Sequence, residues 1–241
     1  MSRMDSSRVL HIDLKKRTHW VEDIPSWEQK KYLGGRGLAS YLLFRELKKA
    51  CDPLGPDSIL VFAPGLLTGT NVPTAGRTTV VGKSPATGLF MKSSMGGHWG
   101  AEFRYSGYDL LVIHEQAPQW TNLKITDTDV QFLDAQEYRG LDTRETTVKF
   151  MAEAKQPGLS VACIGPAGEN LVKIAGIMCD IYHSAARGGL GAVMGSKRIK
   201  AIGVTGRSGL EIKDPATFLD IAQQASESID QNSRCGFICW L

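Results

Sequence analysis

Four glycine-dense stretches carry arginine or lie beside it: Gly35-Arg36-Gly37, Gly76-Arg77, Ser93-Ser94-Met95-Gly96-Gly97-His98-Trp99-Gly100 and Ala186-Arg187-Gly188-Gly189. Glycine lets backbone N–H and C=O groups approach a ligand, and the arginine guanidinium is a planar donor fork matched to phosphate oxygens. Each stretch alone reads as a structural turn; four together suit a polyanionic ligand with many polar edges. A nucleotide loop is the first reading to test, because Gly76 to Ser84 ends in Gly-Lys-Ser. It fails on spacing, since five residues rather than four separate Gly76 from Gly82. It also fails on conformation, because the β-branched run Thr78-Thr79-Val80-Val81 favours a strand over a loop that wraps phosphates. Gly189 to Lys197 has serine before lysine, and Gly34-Gly35-Arg36-Gly37 lacks the third glycine of a dinucleotide fingerprint at the required spacing.

The elements that must position these loops are mostly short strands. Residues 8–14 alternate as an edge strand, and residues 38–49 carry a helical stripe of Leu38, Leu42, Leu43 and Leu47. Further strands are predicted at 59–63, 78–81, 110–114, 123–125, 160–164, 172–177 and 201–205, with a turn at Ser84-Pro85-Ala86-Thr87-Gly88. Helices are predicted at 99–105, 143–154 and 215–228, the last with Asp214 as N-cap and Pro215 at the first helical position. Residues 207–213 are the expected linker. A faint repeat pairs Gly76–Ser84, ahead of the strand at 110–114, with Ala186–Lys197, ahead of the strand at 201–205. A duplicated β-rich unit would offer two similar surfaces about a pseudo-twofold axis, suited to a ligand with two equivalent halves; chance likeness between glycine-rich segments is the alternative. Arg77 and Arg187 are accordingly expected on one concave surface.

Composition narrows the class. The 241 residues are 42% hydrophobic and 22% charged, enough for a packed core, and 26 are glycine. A net charge of +3, without a run of like charges, excludes a nucleic-acid arm. The first residues mix Arg3, Asp5, Arg8 and Asp13 with single apolar residues, unlike a signal peptide or a membrane span, so a cytoplasmic protein is expected. Five scattered cysteines read as reduced thiols rather than a disulfide framework.

The same loops carry a resemblance. Tyr32-Leu33-Gly34-Gly35-Arg36-Gly37-Leu38-Ala39, Pro64-Gly65-Leu66-Leu67-Thr68-Gly69-Thr70, Pro73-Thr74-Ala75-Gly76-Arg77, Lys83-Ser84-Pro85-Ala86-Thr87-Gly88, Gly107-Tyr108-Asp109, Ile164-Gly165-Pro166-Ala167-Gly168-Glu169-Asn170 and Ala186 to Lys197 resemble, in order and spacing, the aldehyde ferredoxin oxidoreductase family. The resemblance implies an α+β, β-rich fold, a duplicated β-sheet base with few helices. Residues 8–206 would be the pterin-cofactor-binding amino-terminal domain, and 207–241 a linker and the start of a truncated helical domain. It further implies a tungsten or molybdenum bis-pterin centre, with magnesium joining the pterin phosphates. By position, Arg77, Ser94, Gly96, Ser184, Ala186 and Arg187 would contact the cofactor, and the backbone carbonyls of Ser94 and Ser184 would ligate magnesium, a role that suits a hard ion. Two positions depart from the pattern: Ser94 stands where some members have asparagine, and His183 where some have arginine. His183 stays open between cofactor contact and polar packing, whereas His98 reads as a loop histidine rather than a metal ligand.

The implied reaction oxidises an aldehyde to a carboxylate and passes electrons through a [4Fe–4S] cluster to ferredoxin. A cubane cluster needs four ligands, and Cys235 and Cys239 read as free thiols, so the cluster ligands are expected outside this chain. The expected partners are the remaining catalytic domains or a second subunit, ferredoxin, and a second copy in a homodimer. The alternative is a non-catalytic truncated scaffold, or a subunit completed by a separate chain. Phe218, Leu219, Ile221, Ile229 and the tail Phe237-Ile238-Cys239-Trp240-Leu241 are expected to present an uncovered apolar face.

Overall fold

The structure, a computed structural model, describes residues 7–231. The first half runs β1 (Ser7–Asp13), β2 (Thr18–Ile24), α1 (Ser26–Tyr32), α2 (Gly35–Glu46), β3 (Leu60–Pro64), β4 (Thr78–Lys83), β5 (Phe90–Met95), α3 (Trp99–Tyr105) and β6 (Leu110–His114). The second runs β7 (Thr121–Ile125), β8 (Val130–Asp134), α4 (Thr143–Ala154), β9 (Ser160–Cys163), α5 (Pro166–Glu169), β10 (Ile177–Cys179), β11 (His183–Ala185), α6 (Leu190–Ser196) and β12 (Ile199–Val204). Helix α7 (Pro215–Gln231) follows.

Each half builds one six-stranded sheet, in the orders β2-β1-β6-β3-β4-β5 and β8-β7-β12-β9-β10-β11. In both, only the pair joining the first strand of the half to its last (β1 with β6, β7 with β12) is parallel. The expected duplicated base is therefore present, strand for strand. Registers match as well: the row Leu10–Leu111–Phe62–Val80–Ser93 in one sheet corresponds to Leu123–Ile202–Ala162–Cys179–His183 in the other. Even the first hairpins agree, since Asp13 accepts from the N–H of Lys16 and Thr126 Oγ1 from the N–H of Asp129.

These rows also explain the packing. Leu10, Phe62, Val80 and Leu111 share one buried cluster with Leu123, Ala162, Cys179 and Ile202, so the two sheets lie face to face. Trp99 and Phe103 of α3, and Leu190, Val193 and Met194 of α6, complete that core. The opposite face of the first sheet is covered by Leu38, Ala39, Leu42 and Leu43 of α2 on Val9, Val61, Val81 and Val112. The corresponding face of the second is covered by Phe150 of α4 on Val161, Cys163 and Ala201. Each buried valine, leucine or phenylalanine among them contributes roughly 1.5–3 kcal/mol.

Several expectations need correction. The strand predicted at 8–14 is not an edge: β1 lies between β2 and β6, and the edge is β2, whose exposed residues hide its alternation. The run at 172–177 is largely turn, with β10 beginning only at Ile177. Helices are more numerous than expected, because α1, the four-residue α5 and the glycine-rich α6 carry no amphipathic stripe; every residue of α6 is buried. The repeat is real but its proposed pairing is wrong. Register makes Arg77 equivalent to Gly176, and Arg187 equivalent to Gly97. Asp214 does cap α7, accepting from the N–H and hydroxyl of Thr217. Among the described residues no helix is long and apolar enough to cross a membrane.

Candidate functional site

The four glycine loops form one connected surface at the junction of the sheets. Gly35, at the start of α2, faces Gly65; a side chain on Gly35 would come within 3.4 Å of the Gly65 Cα. The N–H of Gly65 donates to the carbonyl of Arg77 at 2.9 Å. Pairing of Thr78 with Met95 then sets Arg77 beside Gly96, one step beyond the last rung. From β5 the chain of contacts crosses to the second half, where the N–H of Arg187 donates to Ser93 Oγ at 3.2 Å. His183 packs on Gly96, leaving a Cβ there only 2.9 Å from Nδ1.

Helix α3 pins the loop after β3 from below: Arg104 donates to the carbonyls of Leu66 and Thr68, and the Tyr105 hydroxyl to that of Gly69. Asp180 clamps the halves together. Its Oδ2 accepts from the N–H of His98 at 2.8 Å, and its Oδ1 from Ser160 Oγ and the N–H of Val161. Gly97, at φ 86°, has room for no side chain: a Cβ would sit 2.9 Å from that carboxylate.

The structure brings Ser94, Gly96, Ser184, Ala186 and Arg187 together where β5 meets β11, with Arg77 on the flank of the neighbouring strand. Ser94 and Ser184 occupy the same register position of the two sheets, paired to Thr79 and Met178 respectively, and Gly96 and Ala186 are equivalent in turn. Arg77 and Arg187 are both exposed, and neither guanidinium has a hydrogen-bond or ion-pair partner among the described residues. Arg36 is likewise exposed and unpaired there.

Cys51, Cys163 and Cys179 are free and buried. Burial pushes the Cys163 thiol up to about 11 and raises Cys179 as well, so both stay protonated at neutral pH. Cys235 and Cys239 lie outside the described residues, as does the tail 237–241. Leu219 and Ile221 on α7 are exposed, 49% and 59%, and in that helix only Ala222 is buried. Sequence reasoning missed Asp180 and the triplet His11, Glu46 and His114, whose members meet only through the sheet; it also offered no signal for the Ser94–Ser184 correspondence beyond the resemblance.

Comparison with known proteins gives a consistent neighbourhood. Residues 9–206 match the family described as aldehyde ferredoxin oxidoreductase, N-terminal domain. The chain is 42% identical over 217 residues to the tungsten-containing aldehyde ferredoxin oxidoreductase of Thermococcus kodakarensis, covering 90% of this chain and 36% of that one. It is 33% identical to an aliphatic sulfonate oxidoreductase, WOR-like subunit, of Pyrococcus furiosus, covering 82% of this chain and 34% of the other. Among solved structures, the active-site complex BamBC of benzoyl coenzyme A reductase, bound to 1,5-dienoyl-CoA, superposes with a TM-score of 0.92 at 34% identity, over 95% of this chain and 35% of its own. The chain thus spans about a third of the length of these relatives.

Proposed function

The chain belongs to the aldehyde ferredoxin oxidoreductase family, and from that premise we propose that residues 8–206 are the base on which a tungsten or molybdenum bis-pterin cofactor rests. The complete protein would oxidise aldehydes or related oxo compounds to carboxylates. The observation that carries this reading is the register identity of Ser94 and Ser184. Two pterins are equivalent halves of one ligand, and two carbonyls at equivalent positions of a duplicated base are what a magnesium ion joining their phosphates would need. Carbonyl oxygen suits that ion, and any side chain can stand at such a position.

The surrounding residues fit the same cofactor. Gly96 and Ala186 are small and equivalent, and His183, packed on Gly96, stands beside them as a polar side chain that can reach the cofactor. Arg77 and Arg187 flank β5 with unpaired guanidinium groups, available to phosphate or pterin edges. Gly34 gives α2 no side-chain cap and the first turn holds no acidic residue, so the helix start favours an anion. The cofactor supplies the two-electron chemistry when bound; the chain's part is to position it and to fix its charge.

The [4Fe–4S] cluster, the substrate pocket and the ferredoxin contact belong, on this reading, to domains beyond residues 207–241 or to a second subunit. Exposed Leu219 and Ile221 support such a covering partner, and a cytoplasmic setting follows from the reduced thiols and the electron acceptor. The test is metal and pterin analysis of the protein purified without oxygen from its native source. Tungsten or molybdenum with pterin fluorescence is expected, and each should fall several-fold in R77A and R187A. Absence of both metal and pterin, even when a completing chain co-purifies, would overturn the reading.

A further inference from the structure

At the far end of α2 from the glycine loops, on the helix-covered face of the first sheet, three potential ligands converge from distant parts of the chain. His11 lies in β1, Glu46 ends α2 and His114 ends β6. Gly35 and Glu46 are the two ends of a twelve-residue helix, about 17 Å apart at 1.5 Å per residue step. We propose that His11 Nδ1, His114 Nε2 and Glu46 Oε2 form a site for a divalent transition-metal ion of the zinc class.

The distances carry the argument. His11 Nδ1 and His114 Nε2 are 3.0 Å apart, and Glu46 Oε2 lies 4.0 Å from the first and 3.7 Å from the second. A point equidistant from three atoms so spaced is about 2.1 Å from each, the bond length zinc makes to imidazole nitrogen and carboxylate oxygen. The supporting hydrogen bonds select the right atoms. Glu22 Oε2 lies 3.0 Å from His11 Nε2; as its acceptor it turns the lone pair of Nδ1 toward the cluster, as a carboxylate behind a metal-bound histidine does. Arg45 holds Glu46 Oε1 at 2.7 Å, leaving Oε2 for the histidines.

Electrostatics and access agree. Around the two histidines Glu22, Glu46, Asp13, Glu115 and Asp57 face Arg45, Lys197, Lys16 and Lys48, a slight excess of negative charge. Trp20 stacks on both rings, at 4.8 and 5.4 Å, and closes one side. The other side opens on a cleft of about 100 Å³ lined by Glu46, His114, Ser58 and Glu115. Ser58 Oγ in that cleft is buried and has no hydrogen-bond partner, and a water completing the metal's coordination would supply one. Two imidazoles and one carboxylate with an open position suit zinc or ferrous iron rather than magnesium.

The test is uptake by the full chain after chelator treatment, with zinc and then cobalt as probes. Wild type should bind one more equivalent than H114Q or E46Q, or bind it at least tenfold more tightly. Cobalt should give visible absorption and quench Trp20 fluorescence, and excess magnesium should not compete. If H114Q fails to fold, E46Q decides, because Glu46 sits at an accessible helix end. Equal stoichiometry and affinity in wild type and variants would overturn the proposal, leaving a hydrogen-bonded His114–His11–Glu22 relay. Pterin retention is read separately through Arg77 and Arg187, so either site can fail without the other.

Discussion

Where β5 meets β11 the two halves of the molecule repeat each other, a serine followed two residues on by a residue with little or no side chain. On the outer faces the same register positions have parted company: His11 and His114 in the first half correspond to Lys124 and Thr205 in the second. The difference separates two ways of using a backbone. A seam that works through main-chain atoms tolerates change in side chains, so its symmetry persists in geometry. A face that works through side chains keeps its chemistry only where every ligand is present, and here that is one half.

The comparison can be broken most severely at the position shared by Lys200 and Asp109. Lys200, fully buried, donates to Glu169 and to the carbonyl of Leu141, while Asp109, one-third exposed, meets Arg104. Lys200→Met leaves a buried carboxylate without its cation and should cost about 3–5 kcal/mol in chemical denaturation, against about 1 kcal/mol or less for Asp109→Ala. Similar costs at both positions would mean that the halves carry their charges alike.

Gly97 and Arg187 sharpen the contrast at the seam. Gly97→Ala forces a side chain at φ 86° against Asp180, and a loss of about 2–3 kcal/mol is expected. Arg187→Ala, at the equivalent position, should change stability by under about 0.5 kcal/mol. Thermal denaturation of the pair measures the asymmetry, and a tolerated Gly97→Ala would show that the seam has slack.

The outer faces differ in their response to acid. Burial holds His114 down to about 4, below its ordinary 6.5, and lowers His11 too. The unfolded chain therefore binds more protons than the folded one between those values, so the stability the pair contributes is complete above about pH 6.5 and is lost as pH falls toward 4. The expected loss is on the order of 2 kcal/mol. H114Q should flatten that limb of the curve, while Lys124→Gln, at the position corresponding to His11, should leave it unchanged. The smallest effect is expected from R77A on stability, within about 0.5 kcal/mol, although cofactor retention falls.

What could be read in advance follows the same division. Strands with buried alternation, such as β6, and amphipathic or capped helices, such as α4, are visible because their patterns are local. Edge strands β2 and β8 and the all-buried α6 are not, since exposure on both faces or burial on all sides erases the period. The glycine loops were legible as candidates, because the requirement for glycine is itself local. Their connection through Gly65, Arg77 and Gly96 was not, nor was the correct pairing of the repeat, which depends on four successive strand registers. The histidine pair stayed hidden because its members lie 103 positions apart and meet only through the parallel rung between β1 and β6.

That parallel pairing has a consequence for the way the chain is made. All six strands of the first sheet fall within residues 7–114, and all six of the second within 121–204; among the described residues no strand of one half completes the sheet of the other. A polypeptide emerging from its amino terminus must hold β1 and β2 without their partner until β6 arrives about a hundred residues later, and closing so long a loop is entropically slow. Once β6 docks, the first sheet is whole before the second is fully synthesised, and its inner face of Leu10, Phe62, Val80 and Leu111 stands bare. The second half then folds against a finished template.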